Sequence, residues 1–294
     1  MEKTAVLGVD IGGSHITAAV VDLADGTVIA NSVIRRAVDS KEGAEVLIST
    51  WAGVINEAFT YANCNEMRIG IAMPGPFDYE NGISLIKDQD KFKALYGVNV
   101  KDELAKILNV LPSSIRLNND AASFMQGEIY VGAAKGYKNA IGLTLGTGLG
   151  SAIAINGIAE DAALWNSSFL GGIAEDYFST RWFVHKYKDL TGNAITGVKE
   201  LAEIVTSDPY AKQLFNEFGR GLGHFLADII KTNKAEVVVL GGNIAQAYDL
   251  FEPHLTSNLK AFHLDTPVKL ALLNEYAALI GAASLWDIKK EITI

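Results

Sequence analysis

Residues 6–22 read VLGVDIGGSHITAAVVD, and residues 141–157 read IGLTLGTGLGSAIAING. Each segment is an apolar run, a polar glycine-rich turn and a second apolar run, which predicts two strands joined by a tight turn. When the segments are aligned with Val6 on Ala140, Asp10 falls on Thr144 and Gly12 falls on Gly146. A match in both the strand pattern and the turn chemistry indicates an internal repeat, and therefore two related lobes.

The two turns have a composition that suits phosphate binding. Glycine has no Cβ, so backbone N–H groups in such turns can approach a phosphate closely. For a single turn, a tight hairpin that merely needs glycine remains an alternative, and the repeat favours phosphate binding. No Gly-Lys-Ser/Thr follows either turn, which excludes a Walker A loop. A dinucleotide-binding fingerprint is also excluded, because it requires a helix after the turn and here a predicted strand follows each turn.

Composition narrows the class of protein. The 294-residue chain is 49% hydrophobic and 20% charged and carries a net charge of −9, which suits a soluble protein and argues against a nucleic-acid partner. Cys64 is the single cysteine, so an intrachain disulfide and a thiolate zinc cluster are excluded. The amino-terminal MEKTAVLGVD enters a predicted strand at once, so we expect no signal peptide and a cytoplasmic location.

Residues 140–159 carry no charge and are long enough to span a bilayer. Five glycines and the pair Asn156-Gly157 interrupt this stretch, which disfavours a helix and predicts a hairpin turn. We therefore expect no membrane association.

Other motifs combine strand ends with polar or glycine-rich turns. In Leu117-Asn118-Asn119-Asp120 a carboxylate stands where a predicted strand ends and a helix begins. Such an aspartate is either a helix cap or a reactive group. Asp39 and Glu42 are spaced as a capping box before the next helix. Residues 73–76, Met-Pro-Gly-Pro, and residues 239–243, Val-Leu-Gly-Gly-Asn, predict rigid turns that end strands.

Together and in this order, these motifs resemble those of the ROK family of sugar kinases, in the superfamily of actin, hexokinase and the Hsp70-type ATPases. The resemblance runs through LGVDIGGSHITAAVVD, IAMPGPFDYENG, LNNDAASFMQGE, LTLGTGLGSAIAING and VVLGGN. It implies an α/β fold of two duplicated ribonuclease-H-like lobes, the actin-like ATPase fold. We expect a smaller amino-terminal domain at 1–116, completed by a helix near 275–294, and a larger domain at 117–274.

The resemblance also implies roles for individual residues. Asp120 would be the general base and, with Asn119 and Gly75, would contact the sugar. Asp10 would hold Mg²⁺, directly or through its water shell. The ATP and phosphate contacts would come from Asp10, Gly12, Gly13, Ser14, Thr144, Gly146, Thr147, Gly148, Gly241, Gly242 and Asn243.

One region departs from the family pattern. Most members carry a Glu-x-x-His sugar motif and a cysteine-rich zinc motif after the second hairpin, whereas residues 157–183 contain neither cysteine nor histidine. We therefore expect no zinc, and we expect this region to be held by packing of Leu164, Trp165, Phe169 and Tyr177. Glu175 matches a sugar-binding glutamate of the family, with a solvated helix-start acid as the alternative. Asp88 stands where the family has a sugar-binding asparagine.

These observations predict a hexose kinase that uses ATP and Mg²⁺, acting on glucose or a close relative and assembled as a homodimer. The altered sugar region keeps two alternatives open. One is a kinase for an N-acetylhexosamine or another hexose, and the other is a catalytically inactive sugar or nucleotide sensor. A transcriptional regulator of the same family is disfavoured, because only about five residues precede the first predicted strand and the chain is acidic.

Overall fold

A computed structural model of the chain describes residues 5–62, 66–87 and 91–287. These residues form two compact units. Unit 1 holds the chain up to Gly132 and the segment from Glu275, and unit 2 is Ala133–Asn274. This division falls later than the boundary expected after residue 116. The reason is that the strand Ile115–Asn119 pairs with Ile69–Met73, and the helix after it packs on Ala277–Ala283.

Secondary-structure elements are numbered in chain order. The strands of unit 1 are β1 Ala5–Ile11, β2 His15–Asp22, β3 Thr27–Val28, β4 Ile34–Ala37, β5 Ile69–Met73, β6 Phe77–Asp78, β7 Ile83–Ser84 and β8 Ile115–Asn119. Its helices are α1 Ala44–Phe59, α2 Val100–Leu108 and α3 Asp120–Tyr130, with α9 Ala277–Ala283 from the end of the chain.

Unit 2 carries the remaining elements. Its strands are β9 Ala140–Leu145, β10 Leu149–Ile155, β11 Ile158–Asp161, β12 Ser168–Phe169, β13 Gly172–Ile173, β14 Val237–Gly241 and β15 Val268–Leu270. Its helices are α4 Ala174–Tyr177, α5 Thr180–Thr191, α6 Val198–Ile204, α7 Pro209–Asn233 and α8 Tyr248–Ala261. The uncharged stretch 140–159 forms the antiparallel β9–β10 hairpin and enters β11. Within the described residues, no helix is both long enough and apolar enough to cross a bilayer.

The main sheets of the two units share one topology. The order is β3-β2-β1-β5-β8 in unit 1, where β4 also pairs with β2, and β11-β10-β9-β14-β15 in unit 2. In each sheet the first three strands of the unit form an antiparallel meander, and two further strands add in parallel beside the first strand. The repeat seen in the sequence is therefore a repeat of the whole sheet.

Each unit encloses its own hydrophobic core. In unit 1, α9 lies against β1, β5 and α3 at backbone distance. A Cβ atom on Gly281 would lie 1.8 Å from the Ser123 carbonyl oxygen, and one on Gly127 would lie 2.1 Å from the Ala277 oxygen. Gly8 and Gly70 meet the Leu279 and Ala282 carbonyls in the same way, at 2.3 and 1.9 Å. A side chain at any of these four positions would separate the helix from its neighbours.

Candidate active site

The first glycine-rich turn, Gly12–Ser14, joins β1 to β2. The Gly12 N–H donates to the His15 carbonyl across the hairpin at 2.8 Å. The N–H groups of Gly13 and Ser14 have no acceptor in the described part of the chain. A Cβ atom on Gly12 or Gly13 would have no neighbour closer than 3.5 Å, and neither residue has a positive φ. The hairpin itself therefore does not require glycine here, whereas close approach of an anion does.

Asp10 is the next-to-last residue of β1, the strand that leads into this turn. Burial, and after it the neighbouring Asp120 carboxylate, raise the pKa of its carboxyl from 3.8 to about 7. The Arg35 guanidinium lowers it. Arg35 and Asp10 are both in register with Thr17 of the central strand β2. Asp10 is thus a carboxylate whose negative charge is poorly compensated, which is the setting in which a bound cation is favoured.

Asp120 is the first residue of α3, at the carboxyl end of β8. The helix cap is the preceding residue, because Asn119 Oδ1 accepts hydrogen bonds from the Ala121 and Ala122 N–H groups at 2.8 and 3.0 Å. Asp120 Oδ1 accepts from the Ala121 N–H at 2.9 Å. The capping alternative for Asp120 is therefore wrong. The positive end of the helix dipole favours the ionised carboxylate, the form that accepts a proton.

Gly75 and Asn119 are brought together by Tyr79, a residue that the sequence motifs did not single out. The Tyr79 hydroxyl donates to the Met73 carbonyl at 3.0 Å, and Asn119 Nδ2 donates to that hydroxyl at 3.4 Å. A Cβ atom on Gly75 would lie 3.1 Å from the Tyr79 oxygen. Asn119 and Gly75 therefore border one polar corner where β5 and β8 end. Asp88, the other expected sugar residue, lies outside the described residues.

The second turn, Gly146–Gly148, joins β9 to β10 and repeats the first in its backbone donors. The Gly146 N–H donates to the Gly148 carbonyl at 3.1 Å. For the N–H groups of Thr147 and Gly148, the described chain offers no acceptor. A Cβ atom on Gly146 would meet no described atom within 4 Å. Two adjacent N–H groups without an acceptor, beside an open glycine, are the arrangement that anion-binding turns use.

Side chains from α4 and α5 brace this second turn. Glu175 Oε2 accepts from the Leu149 N–H at 3.1 Å and would lie 2.6 Å from a Cβ on Gly148. Its other oxygen, Oε1, accepts from Arg181 Nη2 at 2.6 Å. The N–H and hydroxyl of Thr180 both donate to the Gly146 carbonyl, at 2.8 and 2.9 Å. Glu175 is thus a bonded support of the turn, and the solvated-acid alternative does not describe it.

Gly241, Gly242 and Asn243 follow at the carboxyl end of β14, directly beside β9. Thr144 pairs with Gly241, so Thr144 and this segment share one edge of the sheet. Gly242 has φ +86°, and a Cβ there would lie 2.4 Å from the Leu145 carbonyl oxygen. Only glycine fits this position, and Gly242 is therefore explained by the fold. Asn243 is exposed at the start of the turn that follows.

The segment that replaces the family's zinc motif is packed through aromatic rings. Phe169 is buried, with ring centroids 5.2, 5.1 and 5.5 Å from those of Tyr177, Phe178 and Phe225. Leu164 and Tyr177 pack against the same core. The expectation for Trp165 is wrong, because its side chain is 44% exposed on a short 3₁₀ turn. Across the described residues, no group of three or more His, Cys, Asp or Glu side chains could hold a metal ion.

Comparison with known proteins agrees with this geometry. The sequence model of the ROK family matches residues 6–161 and 171–289. A glucokinase from Thermotoga maritima is 25% identical, with 97% of this chain and 98% of the relative covered. The N-acetylgalactosamine kinase AgaK of a Shewanella species is also 25% identical, with 95% of each chain covered.

The solved structure of a ROK family glucokinase from Streptomyces griseus, in complex with glucose and AMPPNP, superimposes with a TM-score of 0.74. It is 25% identical, with 96% of this chain and 98% of that chain covered. The expected α/β fold of duplicated ribonuclease-H-like units is thereby confirmed. The chain belongs to the ROK family.

Proposed function

We propose that this protein is an ATP-dependent sugar kinase that transfers a phosphoryl group to a hydroxyl of a hexose, with Asp120 as the general base. The observation that carries the proposal is that Asn119 and Asp120 have different roles at the start of α3. Asn119 caps the helix, and Asp120 is thereby left beside Asp10 as a carboxylate that the helix does not need as its cap.

The chemistry of phosphoryl transfer suits these residues. The reaction demands positioning and charge neutralisation more than covalent participation by the protein. The free N–H groups of Gly13, Ser14, Thr147 and Gly148 would donate to phosphate oxygens. Asp120 would accept the proton of the attacking sugar hydroxyl. Gly241 and Asn243 would border the nucleoside.

A magnesium ion fits the donor set of unit 1. Mg²⁺ prefers carboxylate oxygens and retains several waters, and it needs one or two protein carboxylates besides the substrate phosphates. Asp10, whose buried charge is poorly compensated, would hold the ion or its water shell. The ion when bound supplies charge neutralisation on the phosphates.

The class of sugar is a hexose or an N-acetylhexosamine. The names of the relatives support both classes. The sensor alternative rests on two hydrogen bonds of one residue: both oxygens of Glu175, the expected sugar ligand, are engaged, one by the Leu149 N–H and the other by Arg181. We further propose a cytoplasmic homodimer, which the resemblance to the family suggests. The net charge of −9 supports the absence of a nucleic-acid partner.

The test is a coupled assay of ADP release. The panel is glucose, mannose, fructose, allose, N-acetylglucosamine, N-acetylmannosamine and N-acetylgalactosamine, each with ATP and Mg²⁺. We expect the wild-type protein to turn over at least one sugar. On that sugar we expect Asp120→Asn to retain no more than about 1% of the wild-type turnover. Binding of a sugar by calorimetry without turnover on any member would replace the kinase by the sensor.

A further inference from the structure

Lys91 extends its side chain over the first glycine-rich turn. Its Cδ atom lies 3.5 Å from the position of a Cβ atom on Gly13, and Ser40 Oγ lies 4.0 Å from the same position. Since Nζ is two single bonds beyond Cδ, roughly 3 Å at most, the Lys91 ammonium group can reach an anion bound at this turn. The sequence motifs mark neither Lys91 nor Ser40, because the two residues are far apart in the chain and meet only in the folded unit 1.

The residue after Lys91 holds it over the turn. The Phe92 N–H donates to the Ser40 carbonyl at 2.8 Å, so the segment that carries Lys91 is bonded to the loop after β4. Phe92 is fully buried, and its ring meets that of Trp51 with the centroids 5.7 Å apart. This packing maintains a φ of +59° at Phe92, a conformation that few residues other than glycine adopt. The position of Lys91 is therefore determined by packed structure.

The charge of Lys91 is not used in an ion pair. Its side chain is partly buried, and across the described ranges it makes no hydrogen bond or ion pair. The two arginines of β4 differ in this respect. Arg35 Nη1 lies 2.9 Å from Glu275 Oε2, and Arg36 Nη2 lies 2.6 Å from Glu57 Oε2. Beside the first turn, Lys91 is thus a cation that is available to an anionic ligand.

The donors around Gly13 suit a phosphate group. The N–H groups of Gly13 and Ser14 have no acceptor in the described chain, and the Ser40 hydroxyl has no partner there either. With the ammonium group of Lys91, two backbone donors, one hydroxyl and one cation border the same turn. A terminal phosphate carries up to two negative charges and three strong acceptor oxygens, so it can accept from all of these groups.

We propose that Lys91 is a phosphate-binding residue. Its ammonium group, with the Gly13 and Ser14 N–H groups and the Ser40 hydroxyl, binds the terminal phosphate of the phosphoryl donor. The inference deepens the function proposed above and rests on it for the identity of the donor. All four groups contact phosphate oxygens only, so a phosphate chain binds here without a nucleoside.

Inorganic tripolyphosphate, added with Mg²⁺, is therefore the probe, and calorimetry on the full chain measures its Kd. Lys91→Met keeps an unbranched side chain over Gly13 but removes the charge, and we expect its Kd to be about tenfold above that of wild type. Lys93→Met is the matched control, because it removes the same charge from an exposed residue of the same segment. Its Kd should stay within about twofold of wild type.

The contrary outcomes are equally specific. An unchanged Kd in Lys91→Met, an equal loss in Lys93→Met, or failure of the wild-type protein to bind tripolyphosphate overturns the proposal. The melting temperature of ligand-free Lys91→Met should match wild type, since the substitution breaks no described contact. Lys91→Arg keeps the charge, and its Kd is expected within about threefold of wild type. A loss in Lys91→Arg as large as that in Lys91→Met overturns the proposal as well.

A double variant assigns the effect to the first turn. Gly13→Ala introduces only an ordinary contact with Lys91 Cδ, so we expect it to fold and to obstruct the phosphate. If both residues contact one phosphate, Lys91→Met combined with Gly13→Ala loses less affinity than the product of the two single losses. A loss equal to that product overturns the proposal.

The kinase assay keeps this inference distinguishable from the proposed function. Turnover of a sugar with the same KM for ATP in Lys91→Met and wild type would overturn the role of Lys91 and leave the kinase in place. Tripolyphosphate binding that depends on Lys91, without turnover on any sugar, would support the phosphate site and remove the kinase.

Discussion

The two glycine-rich turns occupy equivalent places in equivalent sheets, yet their surroundings differ. The first turn lies beside two acids, Asp10 and Asp120. Burial, and after it the Asp120 charge, raise the pKa of Asp10 to about 7. At the second turn, Glu175 and Thr180 accept and donate hydrogen bonds directly at its backbone, and Arg181 forms an ion pair with Glu175. The duplicated scaffold has therefore been adapted twice. In the function proposed above, one copy would offer negative charge to a cation and a proton, and the other would offer N–H donors to an anion.

The sharpest test of the acidic side is Asp120→Asn. We expect kcat to fall by about 10² to 10⁴, the usual contribution of a general base, while the sugar Kd and the melting temperature remain close to wild type. The matched control is Asn119→Ala, which removes the cap and is expected to cost about 1 kcal/mol of stability. Near-normal turnover by Asp120→Asn would remove the base assignment and with it the functional contrast between the two turns.

Asp10→Asn tests the same side through stability. A carboxyl whose pKa is about 7 in the folded protein and 3.8 unfolded destabilises the fold when ionised. This cost is absent below pH 4, grows as the pH rises, and is complete above pH 7. In metal-free buffer we therefore expect Asp10→Asn to melt several degrees above wild type at pH 8, with the difference vanishing toward pH 4, and to be inactive with Mg²⁺ and ATP. Thermal melts across this pH range measure it, and a pH-independent difference would contradict the assignment.

Gly146→Ala tests the anion-binding side. Since a Cβ there meets no described atom within 4 Å, the variant is expected to fold normally and to raise the KM for ATP about tenfold by obstructing the phosphate. Gly43→Ala is the control, because Gly43 is equally open but caps α1 in unit 1. An unchanged KM for ATP in Gly146→Ala would show that the turn does not approach the nucleotide.

Glu175→Gln separates two roles for one residue. If Glu175 supports the second turn, its replacement changes the KM for ATP. If Glu175 is a sugar ligand, its replacement changes the KM for the sugar. We expect the KM for ATP to rise a few-fold with little change in the KM for the sugar, and a stability loss below about 1 kcal/mol, since Arg181 is largely exposed. Arg181→Gln, which leaves the Leu149 contact in place, is expected to show a weaker form of the same effect. A rise confined to the sugar KM would favour the ligand role.

The smallest expected effect is that of a chelator. If aromatic packing around Phe169 holds the segment that braces the second turn, EDTA leaves the melting temperature of the substrate-free protein unchanged. Elemental analysis of protein purified without added metal measures its zinc content independently. Stoichiometric zinc, or a lower melting temperature in EDTA, would show that a metal shares this task.

The sequence alone was sufficient for the family, the paired hairpins and the position of Asp120 at a helix start. These features are local: apolar periodicity and glycine-rich turns are visible in neighbouring residues. The pairing of Asp10 with Asp120 follows from sheet order, since β1, β5 and β8 end at one edge. No spacing in the chain displays that order directly, so the pairing could not be predicted from the sequence.

Other features could not be predicted because neighbouring residues compete for one structural role, and the sequence pattern does not show which of them takes it. Asn119 and Asp120 can both cap a helix, and the three-dimensional start of α3 decides for Asn119. The capping box expected from Asp39 and Glu42 is wrong, because α1 begins at Ala44 after Gly43, and Asp39 Oδ1 accepts from the Lys41 N–H instead. Trp165 is exposed although it is apolar, since neighbouring aromatic rings already fill the core.

The close seating of α9 has a consequence for biosynthesis. Unit 1 needs the helix at 277–283, against which Gly8, Gly70 and Gly127 are fitted, but the ribosome makes that helix only after the whole of unit 2. Unit 2 is continuous in sequence and can complete its core as it emerges. Until α9 is made, one face of the sheet formed by the first 132 residues stays uncovered. Nascent chains arrested near residue 274 would therefore present this bare face to chaperones and proteases.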